Sequence, residues 1–428
     1  MGRRSPRCIE LFGLLAIYAF DELWTLSTYV KYGLMALQHR GAEKYVICVA
    51  NGNVSCYSSK NMDEVVDKAS SNRVIGATYA DNDEHLYRET IDGFDVALLA
   101  ERAHSVFDDL VRGIGRAMKS GSTNDIVATF NLYSNVDGIP SFVAISSNGE
   151  VLAWRSPGGL TPMVLGGYGF DMAIISSEST AIDILDADIR RFVAPGEGFY
   201  ISRYLLKNFR VETSVKSRLC LFELLYLARH DAVIDGVSVY EFRKRLGEEL
   251  ARAFDKDVDI AVGVPETALP YTIGFSNAIG RPFELAFVAT GGRARSMLKF
   301  DPREKIVAIH LKMNPIRSSL EGKKIALVDD SMVTGSTVKT VSQILRYRIG
   351  VNEIHLLIAS PPLISPCPYG VLKLGTENLL AANLTKEMAE KYLEVDSLHW
   401  LSIESIDRVA KMFRLNLCGR CFGVHFFG

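Results

Sequence analysis

Residues Lys323–Thr340 read KKIALVDDSMVTGSTVKT. Four apolar residues, Ile325 to Val328, lead into two adjacent carboxylates, Asp329 and Asp330. A turn of hydroxyls and glycine follows, Ser331 to Thr337, and a new apolar period then begins. This is the pattern of a strand, a loop and a helix. In a parallel sheet, ligands sit beyond the carboxyl ends of the strands, and the acid pair stands at such an end. The loop before the helix offers hydroxyls and backbone N–H groups to an anion. The two acids repel a phosphate but suit a ribose diol, or a Mg2+ ion that bridges phosphate oxygens. A ribose phosphate satisfies both parts. A solvated turn with a helix cap is the plainer reading, since Asp, Ser and Thr are common there. No Gly-Lys-Ser/Thr occurs in frame, so the loop is not a P-loop.

The texture on either side extends this reading. From about Ser217 strands and helices alternate. VSVYEFRKRLGEELARAFD is a helix, VDIAVGVPET a strand and loop, LPYTIGFSNAIG a helix and PFELAFVAT a strand. After the acid strand come the helix GSTVKTVSQILRYRIG and the strand NEIHLLIASPP. Such alternation predicts a parallel sheet with crossover helices. The first half differs. KYVICVANGNVSCYS and IPSFVAISSNGEVLAWRS are hairpins turned at Asn-Gly, and DMAIISSES and GEGFYISRYL are further short strands. LSTYVKYGLMALQH and AHSVFDDLVRGIGRAMKS carry helical periodicity. A layered α+β half therefore precedes an α/β half, with the boundary in 205–218.

Composition sets limits. The chain has 428 residues, enough for two or three domains. Its formal charge of -2 gives no electrostatic case for a nucleic-acid polymer or an acidic membrane. No apolar run reaches the ~18 residues that a membrane span needs. The opening MGRRSPRCIELFGLLAIYAF has the look of a signal peptide, but Glu10 breaks the apolar run. It reads better as a buried strand. A cytoplasmic chain follows, with its seven cysteines as reduced thiols or metal ligands rather than disulfides. Cys48 and Cys56 lie in apolar strands and read as core thiols. The pair CGRC, Cys418 and Cys421, is ambiguous among zinc, redox and chance.

With its flanking strand, the opening stretch resembles the ribose-phosphate signature of type I phosphoribosyltransferases. CLFELLYLARHDAVIDGVSVYEFRKRLGEELA, GVPETA, LKMNPIRSSLEGKKIALVDDSMVTGST, SPPLISPCPYG and CGRC resemble, in order, motifs of the glutamine phosphoribosylpyrophosphate amidotransferase family. YGLMALQHRG resembles that family's glutaminase domain. The resemblance implies a glutaminase-like domain of the N-terminal-nucleophile type over residues 1–207. A type I phosphoribosyltransferase domain with a cluster-binding tail follows over 208–428. It also implies a place in purine biosynthesis, making 5-phosphoribosylamine from phosphoribosylpyrophosphate.

Carried over residue by residue, the transferase motifs are largely kept. The family's Val-Pro-Asp-Ser loop is here Val264, Pro265, Glu266 and Thr267. Thr267, Asp329 and Asp330 are the Mg2+-linked set, and Ser331, Thr334, Gly335, Ser336 and Thr337 the cradle of the 5-phosphate. Thr334 stands where these amidotransferases usually have Arg, though Thr-Gly is common in other type I transferases. Lys312, Arg317 and Arg295 match family cations. In ATGGRARSMLK, however, Ala289 and Gly291 replace a Lys and an Arg, with Arg293 nearby. Loss of such cations weakens charge stabilisation of departing pyrophosphate.

The glutaminase motifs are degraded. Phe12, in FGLLAI, stands in place of the nucleophilic cysteine, whose α-amino group serves as base in the family. Cys8 is a shifted alternative, with Ile9 in place of the glycine. Arg102 and Ala103 replace the Asn-Gly of the oxyanion hole, GATYA lacks an arginine of the glutamine site, and Thr123 replaces an acid. Arg40 survives, with helix packing an equal explanation; His39 and His104 read as structural. The resemblance makes Cys220, Cys367, Cys418 and Cys421 the ligands of a [4Fe–4S] cluster, with Zn2+ the alternative. Two functions follow. One is an ammonia-dependent amidophosphoribosyltransferase. The other is a silent paralogue that binds phosphoribosylpyrophosphate or purine nucleotides and regulates an active homologue. A homo-oligomer, or a hetero-oligomer with that homologue, is expected.

Overall fold

The computed structural model describes residues 12–80, 85–288, 313–371 and 373–427. The first half is built on two antiparallel sheets, of seven and six strands. Its central strand, Phe12–Ala19, is buried along its whole length. Alternate side chains of a strand point to opposite faces. Leu14, Ala16 and Tyr18 accordingly join Val143, Ile145, Ala153 and Phe199 of the other sheet in a core between the sheets. Leu15 and Ile17 face the other way, onto Val30 and Leu34 of the helix Ser27–Ala36. The outer face of the six-stranded sheet is covered by the helices Phe107–Ser120 and Thr123–Asn131. The layers run helix, sheet, sheet, helix.

The expected hairpins form, and one corrects the cysteine reading. Lys44–Ala50 and Val54–Ser59 pair with Cys48 directly opposite Cys56. Their Cα atoms are 4.1 Å apart and the two sulfurs are bonded. They are a disulfide, not two separate core thiols, because the turn at Asn51–Asn53 sets a register that places one across from the other. The strand Leu205–Arg210 closes the six-stranded sheet at its edge.

In the second half four strands run parallel in the order Ile260–Gly263, Lys324–Asp329, Glu353–Ile358 and Ser397–Trp400. Ala326 and Val328 face the helices Val239–Arg252, Leu269–Ile279 and Ile403–Met412. Ile325 and Leu327 face the opposite way, towards the helix Ser336–Gln343, so the sheet is buried on both sides. The stretch PFELAFVAT departs from expectation. It makes one bridge, Phe283 to Ala261, and a two-residue strand, Phe287–Val288, that pairs antiparallel with Asn314–Pro315. Pro282 has no N–H to give, and Glu284 and Leu285 face solvent, so the run does not join the sheet as a full strand. Among the described residues no helix is long and apolar enough to cross a membrane.

Candidate functional site

Register builds the site. Gly263 pairs with Val328, and the Val264 N–H donates to the Val328 carbonyl at 2.9 Å. The loop 264–267 is thereby brought against the acid pair at the carboxyl ends of two neighbouring strands. There the Thr267 hydroxyl donates to the Asp330 carboxylate. The Ser331 hydroxyl donates to its other oxygen at 2.7 Å. Asp330 is 3% exposed, and these hydroxyls replace the water that its charge has lost. Asp329 is half-buried, and its Oδ1 accepts the Asp330 N–H at 3.0 Å. Three of the residues assigned to Mg2+ and sugar from sequence thus converge.

The phosphate loop closes on a helix end. Gly335 caps the helix Ser336–Gln343 with φ 68°, a left-handed conformation that disfavours other residues. A Cβ there would also lie 2.4 Å from Leu380 Cδ1. No side chain caps this end and no acid occupies its first turn. Its N–H groups and positive dipole end meet the hydroxyls of Thr334 and Ser336, 3.1 Å apart. Such a surface accepts an anion.

Other predicted residues fall elsewhere. Arg317 donates to Glu321 and to the carbonyls of Arg348 and Ile349, so it braces a helix end rather than the loop. Arg295 and Lys312, with Ala289, Gly291 and Arg293, lie outside the described residues, as do Cys8, Ile9 and Glu10.

At the remnant glutaminase position Phe12 is 3% exposed, and the Arg102 guanidinium stands 5.9 Å from its ring centre. Arg102 is itself buried, with its Nη1 lacking a hydrogen-bond partner and 3.8 Å from Glu101. Burial raises the Glu101 carboxyl above the usual range, against the pull of Arg102. Thr123 opens a surface helix and accepts from Lys207 at 3.4 Å. Nothing in this arrangement supplies a nucleophile.

Sequence reading undervalued Arg40. Its Nε donates to Glu178 at 2.6 Å and its Nη1 to Glu223 at 3.3 Å, and all three are buried. His39 Nε2 adds a contact to Glu178 at 2.9 Å. Burial alone would raise the Glu178 carboxyl; Arg40 and His39 outweigh it and hold it far below the usual range. Arg155 makes a second crossing, paired with Asp235 through two bonds of 2.6 and 2.8 Å. Charged Arg and Glu in LQHRG and CLFE were the available signal, but their pairing spans 183 residues.

The four remaining cysteines of the described residues are unbonded. Leu219–Cys220 pairs in parallel with Leu417–Cys418, which sets Cys220 opposite Cys418. The Ile364 and Ser365 N–H groups donate to Cys421 O, bringing in the segment that carries Cys367. Burial, then the proximity of Cys367, Cys421 and Cys418, pushes the Cys220 thiol well up. Among the described residues no three His, Cys, Asp or Glu side chains are close enough to hold a single metal ion.

No family model matches the chain. Individual relatives do. It is 30% identical to the amidophosphoribosyltransferase of Methanothermobacter thermautotrophicus, over 96% of this chain and 93% of that one. It is equally similar to that of Methanocaldococcus jannaschii, covering 96% of each. The glutamine phosphoribosylpyrophosphate amidotransferase of Bacillus subtilis, solved with ADP and GMP, superposes with a TM-score of 0.75 at 25% identity. That match covers 93% of this chain and 92% of the other. Near-complete coverage of both halves, in one order and one fold, leaves a single conclusion: the chain belongs to the amidophosphoribosyltransferase family.

Proposed function

We propose that the chain forms 5-phosphoribosylamine from phosphoribosylpyrophosphate and free ammonia, in purine biosynthesis. The observation that carries this is the convergence of Thr267, Asp330 and Ser331 beside the uncapped helix end at Gly335. Ser331, Thr334, Gly335, Ser336 and Thr337 hold the 5-phosphate. Asp329 and Asp330 hold the ribose hydroxyls, and Glu266 and Thr267 face the pyrophosphate. Ammonia attacks the anomeric carbon as the bond to pyrophosphate breaks, with inversion. Pyrophosphate leaves with the electron pair, and a proton of the incoming amine passes to water. Thr267, Asp329 and Asp330 would hold Mg2+, which when bound offsets the charge of the pyrophosphate.

The first half, which we end at Arg210, serves as scaffold and interface. Phe12 and Arg102 fill the place where a glutaminase needs a nucleophile and oxyanion donors. Cys220, Cys367, Cys418 and Cys421 fit an all-thiolate cluster of the [4Fe–4S] class, because three chain segments deliver four unbonded thiols to one place. When bound, the cluster supplies a cross-link between the tail and the segment after Arg218. A cytoplasmic setting and an oligomer that binds purine nucleotides complete the proposal. Pyrophosphate release dependent on ammonia tests it. Binding of phosphoribosylpyrophosphate without turnover would favour the second reading, a regulatory paralogue, which the residues Ala289 and Gly291 support by lacking charge.

A further inference from the structure

His230 lies in LARHDAV, the segment that leads from the first half into the transferase fold. Its Nε2 is 2.9 Å from the Glu266 carbonyl oxygen, and its Nδ1 is 2.8 Å from Arg243 Nη1. Arg243 is fully buried and its orientation is set. Its Nε donates to the Leu224 carbonyl at 2.8 Å and its Nη2 to the Ala228 carbonyl at 2.9 Å. A guanidinium donates and never accepts. Nδ1 must therefore be the acceptor, and the ring proton sits on Nε2, where it donates to Glu266. Both contacts together require one state of the ring, the neutral Nε2–H tautomer. Glu266 directly precedes Thr267, whose hydroxyl holds Asp330.

We infer that His230 is a positioning residue: it clamps the 265–267 loop in the form that joins Thr267 to Asp330, and so sets the affinity for the pyrophosphate end of the substrate. The ligand named here rests on the transferase function proposed above; the clamp itself does not. Arg243 faces the ring from the helix Val239–Arg252, Glu266 from the loop and Asp231 from its own segment. Burial first, and Arg243 second, hold the imidazole below its ordinary value, while Glu266 and Asp231 oppose them. Protonation would set a cation against Arg243 and remove the acceptor it uses.

The test uses the full chain labelled with 15N-histidine, with His230→Gln identifying the His230 signals by difference. The clamp predicts a protonated Nε2 and a bare Nδ1 at pH 7, still neutral at about pH 6, below the usual imidazole value near 6.5. The opposite tautomer, or ordinary titration, overturns it. In ammonia-dependent pyrophosphate release, His230→Leu should raise KM for phosphoribosylpyrophosphate about tenfold, the equivalent of one lost hydrogen bond, with kcat within about twofold. His230→Gln should restore it, since the Gln amide carbon, like Cε1 of His, carries both an acceptor and a donor. The wild-type KM should climb on acidification below about pH 6 and that of His230→Gln should not. An unchanged KM in His230→Leu overturns the positioning role. No turnover or binding by the wild type overturns the transferase function instead, and the tautomer then decides the clamp alone.

Discussion

Asp330 carries its charge at 3% exposure with one hydroxyl on each carboxylate oxygen. An amide in its place offers one donor where the protein supplies only donors, so one contact must reverse or break. Asp330→Asn should therefore weaken binding of Mg2+–phosphoribosylpyrophosphate and leave inorganic phosphate binding within about twofold. Thr337→Ala acts on the other end of the ligand. It should weaken every phosphate-bearing ligand by about 1–3 kcal/mol, the worth of a hydrogen bond to a charged group. Calorimetric titration of both variants separates the two roles. At the remnant glutaminase position, Phe12 and Arg102 predict no glutamate release from glutamine, with or without phosphoribosylpyrophosphate. Robust release would place a nucleophile elsewhere. These positions were legible in sequence because each lies in one short string. Arg40 was not, because its value comes from Glu178 and Glu223 across the chain.

At the scale of elements, the strands and helices followed from periodicity, while their partners did not. The hairpins at Asn51–Asn53 and Asn148–Gly149 could be read from turn residues and alternation. That Cys48 faces Cys56 depended on register, which a sequence pattern leaves one residue free to shift. The stretch 281–288 read as a strand because apolar residues dominate it; exposure of Glu284 and Leu285 shows that it has no sheet neighbour to bury them. The cysteine quartet is the element with most at stake. Protein purified anaerobically should contain about four irons and four sulfides per chain, the content of a [4Fe–4S] cluster. Zinc without sulfide would reject the cluster and keep the ligand set. Cys418→Ser should lower the melting temperature of the second half by about 5 °C or more, since ligand loss removes binding energy from the folded state. Unchanged melting would mean that the thiols hold nothing.

For the whole molecule, two buried ion pairs tie the halves together: Arg40 with Glu178 and Glu223, and Arg155 with Asp235. Glu178 is held below the usual carboxylate range in the folded chain, so its contribution is present above the unfolded value near pH 4.3 and is lost as pH falls further. Glu178→Gln leaves Arg40 less well compensated and should cost about 3 kcal/mol at pH 7, the usual penalty for breaking a buried pair. It should also flatten the acid branch of the stability curve below about pH 4.3. Equal acid profiles for the two proteins would mean that the network adds nothing. Such a persistent interface explains how a half without a nucleophile remains useful: it supports the segment that carries His230 and Arg243 to the transferase site.

The most direct test of the central claim is ammonia-dependent release of pyrophosphate from Mg2+–phosphoribosylpyrophosphate, measured on wild type beside Asp330→Asn without glutamine. The geometry of Thr267, Asp330 and the Gly335 helix end predicts release by the wild type and a loss of at least about 100-fold in kcat/KM in the variant, equivalent to about 2.7 kcal/mol. Equal rates in the two proteins, or no release by either, would contradict it.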